Sequence, residues 1–188
     1  MAGYDEIPLG TRAELRLWLA ANHATSPGIW LVTWRRPELG DRIPYEDLVQ
    51  ECLCFGWIDS TVRTLDEDRS AIRLTPRKPD SGWSRTNKDR LEVLIAGGQM
   101  APAGLAAVER AKANGAWSFL DDVEDLVIPD DLAAALAAEG AQSQFEALSP
   151  GRRKQLLYWI KSAKRAATRA GRVAATAAAA AEGRSALD

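Results

Sequence analysis

Pro76 and Pro79 constrain the fold of this chain more than any other pair of residues. Proline has no backbone N–H for a sheet ladder, and it pushes the residue before it toward extended backbone. The two prolines therefore end whatever sheet precedes them and force an extended loop. Everything strand-like lies before that loop. IWLVTW at 29–34 is rich in β-branched and aromatic residues, and 58–65 and 71–75 read as two further strands joined by the acidic turn DEDR. Beyond the loop only helix signals remain. Ser84 can cap a helix with Leu91, Leu94 and Ile95 inward and Gly97-Gly98 as its stop. Pro102 starts another, with Leu105 and Val108 inward, running to Asn114-Gly115.

Two helices precede the loop as well. Thr11 to Glu14 spells a capping box, and Leu15, Trp18 and Leu19 recur at helical spacing over 11–21. Pro44 precedes Tyr45, Leu48, Val49 and Cys52, again helical, ending near Gly56. Further on, Pro129-Asp130 opens a helix through Leu132 and Leu136. Ser149-Pro150 opens one with Leu156, Leu157 and Ile160 on one face. The alanine- and arginine-rich segment 166–182 has high helix propensity but little apolar bulk to anchor it. The pattern predicts an α+β fold: a small antiparallel sheet packed with helices, followed by an all-helical C-terminal portion. The expected division is 1–120 and 121–188, with the boundary in the 117–128 loop.

A chain of 188 residues can bury a full core without staples, and its net charge of −2 gives no global pull toward nucleic acid or membrane. Cys52 and Cys54 stand one residue apart, a poor spacing for a disulfide and without the second pair a zinc site needs. Reduced thiols fit the cytosol. The N-terminus has no basic region followed by an apolar one, and no apolar run approaches bilayer length, so a cytoplasmic protein without a membrane span is expected. No P-loop, GxGxxG or HExxH is present, and neither a cofactor nor a metal is expected.

The densest run of restrictive residues is CFGWIDS from Cys54, followed by RLTPRKPDSGWSRTNKDR. Seven tryptophans against three phenylalanines and three tyrosines are unusual, and Trp30, Trp34, Trp57 and Trp83 can serve either a core or an aromatic ligand cleft. Asp59, in an apolar setting, reads as a ligand contact or general base, or else as the ion-pair partner of Arg73 or Arg77. Arg73, Arg77 and Lys78 offer donors for carboxylate, phosphate or amide oxygens, with Arg77 on stiff backbone; the alternative is a solvated edge. Ser84 is most simply a helix cap. Together with Asn87, Trp83 and the open N–H groups beside Arg77 it can also form an anion site. His23, the one histidine, is a structural residue or a catalytic acid or orienter.

The chain resembles the YdeI/OmpD-associated family of bacteriocin-protection proteins. The resemblance rests on WLAANHATSPGIWLV, CFGWIDS, LTPRKPDSGWSRTNK and AGLAAVERAKANGAW, and more weakly on LSPGRRKQLLYWIKSAKRAATRAGRV. It implies an α+β domain with a helical tail and a role in tolerance of antimicrobial compounds, without implying a reaction. Three functions follow from residues and resemblance together. The first is a protein that binds a small molecule or peptide in a Trp-lined cleft, oriented by Asp59, Arg73 and Arg77. The second is an enzyme modifying a toxic compound, with Asp59 as base, His23 as acid or orienter and Arg77 stabilising an oxyanion. The third is a nucleic-acid-binding or regulatory module using the basic residues 152–172, which otherwise pair with the acidic 121–131 stretch. The alanine-rich end can pack as a partner helix in a homo-oligomer.

Overall fold

A computed structural model describes residues 3–187. Two units divide the chain, one ending at Ser118 and the other beginning at Phe119. In the first, strands β1 (Asp5–Pro8), β2 (Ile29–Trp34), β3 (Trp57–Thr64) and β4 (Arg69–Pro76) form one sheet in the order β1-β2-β4-β3. The β2–β4 and β3–β4 pairs are antiparallel as the sequence predicts. Strand β1 was not foreseen, and it lies parallel to β2, so the sheet is mixed. Four residues ending in proline carry too weak a period to announce a strand, and a parallel partner cannot be read from a local turn.

Helices α1 (Arg12–Asn22), α2 (Tyr45–Cys54), α3 (Arg85–Ala96) and α4 (Pro102–Ala113) complete the unit. The Thr11–Glu14 capping box is formed in both directions. Leu15, Leu19, Leu48, Val49, Cys52, Leu91 and Leu94 bury against Ile29, Leu31, Trp57 and Leu74 of the sheet. Glu51 of α2 is 1% exposed and is held by Arg12 Nε at 2.7 Å and Arg16 Nη1 at 2.8 Å from α1. Two residues expected inside stand largely outside: Ile95 and Leu105. The inner stripe of α4 keeps Val108 as expected and is otherwise Gly104, Ala107 and Ala111, small residues at the close approach to α2.

The second unit holds α5 (Asp121–Glu124), α6 (Asp130–Ala138), α7 (Gln142–Ala147), α8 (Pro150–Lys161) and α9 (Ala166–Ala181). Leu132, Leu136, Phe145, Leu156, Leu157 and Ile160 form its core. Helix α9 is anchored after all, since Val173, Ala177 and Ala180 bury against that core. Small side chains bring helix backbones close, so contact makes up for missing bulk. Among the described residues no helix is long and apolar enough to cross a membrane.

Candidate functional site

A strand has a side-chain period of two, and residues directly opposite one another in a sheet share a face. The register pairs Leu31 with Ile72 and Thr33 with Ser70, so these four point to one side. On β3 the regular pairing slips between Asp59 and Val62, where one extra residue bulges out. The bulge brings both Asp59, opposite Leu74, and Val62, opposite Ile72, to that same side. Helix α2 and the segment before it cover this face incompletely. A cavity of about 240 Å³ remains, lined by Leu9, Leu31, Ile43, Leu48, Val62 and Ile72, with Thr33, Ser70, Arg42 and Tyr45 as its polar members. Two polar groups give it direction. Thr33 Oγ1 is buried and has no hydrogen-bond partner. The Tyr45 hydroxyl donates to Asp59 Oδ2 at 2.9 Å. Partial burial, and then the hydrogen bond to Asp59, push the Tyr45 phenol up to about 12, which keeps it a donor at neutral pH.

The same period sends Trp30 and Trp34 to the opposite side, with Arg73 and Arg69 across from them. There Arg63 lies 4.1 Å above the Trp30 ring and pairs with Glu6, while Arg73 Nε donates to Ser60 Oγ at 2.9 Å. Trp57 and Trp83 are each 1% exposed. Trp57 meets the edge of Trp18 and donates to the His23 carbonyl at 3.3 Å. The four tryptophans thus do not converge on one cleft: Trp30 and Trp34 share the far face of the sheet, Trp57 and Trp83 are buried in the core, and none of them lines the aliphatic cavity.

The remaining sequence candidates are also dispersed. Asp59 bonds Tyr45, where an ion pair with Arg73 or Arg77 was one expectation. His23 Nδ1 lies 2.9 Å from the Leu19 carbonyl, with its ring 5.4 Å from Phe55. Ser84 accepts from the Asn87 N–H at 3.4 Å as the α3 cap, and Asn87 Oδ1 accepts from Arg90. Arg77 lays its guanidinium 3.7 Å from the centre of the Trp83 ring and donates to the Gly82 carbonyl. Trp83 in turn contacts Trp117 at 5.5 Å. Burial pushes the Cys52 and Cys54 thiols up, so neither is a ready nucleophile. Among the described residues no cluster of histidine, cysteine, aspartate and glutamate suits a metal ion.

Sequence reasoning missed Thr33, Tyr45 and Arg42 at the cavity. Thr33 sits on a strand whose tryptophans are the conspicuous residues, and nothing local to Tyr45 marks it as lining a cavity. In the second unit, Lys154 pairs with Glu124, Lys161 with Asp122 and Arg169 with Asp131. The basic stretch and the acidic stretch therefore engage each other.

What stands out is a two-unit α+β protein whose first unit carries a sheet-and-helix cavity. Residues 7–107 match the family model described as a domain of unknown function (DUF8412), more than half of the chain, and the chain belongs to that family. Residues 125–183 match a second family model, described as "Bacteriocin-protection, YdeI or OmpD-Associated". The resemblance read from the sequence is thus matched, in its weaker C-terminal motif. The CFGWIDS and LTPRKPDSGWS motifs fall within the DUF8412 match. Comparison with curated proteins and with solved structures gave no match.

Proposed function

We propose that this chain is a binding protein that takes a small, largely apolar molecule into the cavity between the sheet and α2. The cavity itself carries the reading: about 240 Å³, aliphatic over most of its wall, with a few convergent polar groups. That is slightly below the roughly 300–1,000 Å³ of pockets for drug-sized ligands, which favours a compact ligand or one part of a longer one. Thr33 Oγ1 lacks a partner, and the Tyr45 oxygen, whose proton is given to Asp59, can still accept, so the guest carries a hydrogen-bonding group. The bacteriocin-protection description of the family matched at 125–183 supports a protective role, exerted by sequestration.

A catalytic reading has one observation in its favour, the Tyr45–Asp59 pair beside the cavity. Asp59 would then act as base or proton acceptor toward the guest. His23 and Arg77 are engaged with other neighbours, which gives the original trio less support.

Calorimetric titration with a panel of small aromatic and aliphatic alcohols tests the proposal. Saturable binding is expected, weakened roughly five- to tenfold by Tyr45→Phe, the worth of one hydrogen bond. Val62→Trp, at a position 62% exposed, should fill the cavity mouth and abolish binding without unfolding the chain. Mass spectrometry must recover the compound unchanged. An altered compound would favour the catalytic reading, and binding untouched by Val62→Trp would remove the cavity from consideration.

A further inference from the structure

We infer that Arg77 is the base of a second site, one that binds the oxyanion group of a ligand, phosphate or carboxylate, between the 77–83 loop and α4. Arg77 is 8% exposed, yet among the described residues no carboxylate pairs with it. Its Nη2 donates to the Gly82 carbonyl, while Nε and Nη1 are buried and have no partner. A buried guanidinium normally has an acid beside it, because a charge removed from water is costly unless paired. Several other arginines of this chain do have an acid beside them, Arg12 and Arg16 with Glu51 among them. Arg90 and Arg169 are pushed up by hydrogen bonds to Glu46 and Asp131. Arg77 goes the other way, down to about 10, with burial as the only cause.

The space beside it has the chemistry of the missing partner. A gap of about 10 Å³ lies among Arg77, Lys78, Trp83 and Arg110, with Ala107 and Ala111 of α4 closing its apolar side. That volume holds about one water-sized atom. One oxygen of an anion fits there against the unpartnered N–H groups, leaving the others to meet Lys78 and Arg110. Both of those side chains are exposed, and no acidic residue lines the gap. The Trp83 ring holds the guanidinium plane in place, which suits the fixed fork that arginine offers to carboxylate and phosphate. The start of α3 is a weaker candidate, since the Ser84 hydroxyl already caps it. Arg110 lies within the AGLAAVERAKANGAW motif, so the sequence had marked the stretch without revealing its partner.

The full-length chain is titrated with inorganic phosphate and with acetate, against chloride at matched ionic strength. Tryptophan fluorescence reports on the Arg77–Trp83 stack. A saturable change below about 10 mM is expected for one of the two oxyanions and not for chloride, and which one responds gives the ligand class. Arg110→Ala and Lys78→Ala, both at exposed positions, should each weaken that response several-fold with an unchanged melting temperature. Arg77→Lys, which keeps the charge and loses the fork, should weaken it at least tenfold. Equal responses to all three ions, no saturable response, or undiminished affinity in an Arg110→Ala/Lys78→Ala double variant would overturn the proposal. The cavity-filling Val62→Trp should leave this titration unchanged, which keeps the two sites experimentally separate.

Discussion

Tyr45 is 58% exposed, but its hydroxyl is fixed 2.9 Å from Asp59. Because the folded phenol titrates near 12 rather than the ordinary value of 10, the folded chain keeps this proton longer than the unfolded chain does. The stabilisation is therefore complete below pH about 10 and is lost as the pH rises from there toward about 12. Denaturant midpoints measured across that window should fall more steeply for the natural chain than for Tyr45→Phe. Equal slopes would mean that the hydrogen bond is not made in solution. Asp59 itself was legible as a residue of interest, whereas its partner was not. An acid in an apolar setting announces that it needs a neighbour, but which neighbour depends on a bulge that shifts the facing of β3.

Helix α2 ends at Cys54, and Gly56 follows with φ +70, a left-handed conformation that glycine adopts without strain. Its carbonyl accepts the Arg77 N–H at 2.9 Å, which ties the CFGW motif to the proline loop. Immediately beyond, α4 crosses the end of α2 at Gly104, where an added methyl would run into the Cys54 carbonyl oxygen. Gly104→Ala is accordingly expected to destabilise the first unit by about 1–3 kcal/mol, read as a lowered denaturant midpoint. A neutral substitution would show that the two helices do not approach this closely. The glycine of CFGW was recognisable as a helix stop or close-approach residue. The role of Gly104 was not, because nothing local requires a glycine at that point of a helix; the requirement comes from α2, about fifty residues earlier.

The two family matches fall one in each unit, 7–107 in the first and 125–183 in the second. We propose that the units are separate folding modules, each with its own hydrophobic cluster. A chain ending at Ser118 keeps all four strands, the cavity and the Arg77 gap. It should unfold cooperatively by circular dichroism and retain the affinity of the full chain for the cavity ligand. A truncated chain without a cooperative transition would refute independent folding. In the second unit the ion pairs of Lys154, Lys161 and Arg169 engage acidic groups of the same unit, which leaves less free positive charge for a phosphate backbone than the bare sequence offers.

Local signals along the chain were enough to place most elements and about where they end, β1, α5 and α7 excepted. Capping residues, N1 prolines, stop glycines and hydrophobic periods act over a few residues, so β2, the β3–β4 hairpin, α1 and the α3 cap were all readable. What faces what was set by long-range pairing. Trp30 and Trp34 alternate with Leu31 and Thr33, and a strand cannot say from its own residues which set turns toward the helices. The pairing of 29–34 with 69–76, and the bulge in β3, made that choice. It turned Trp30 and Trp34 away from the helices and left an aliphatic cavity beside Tyr45, while the packing of the 77–83 loop buried Arg77 against Trp83 with no carboxylate beside it among the described residues.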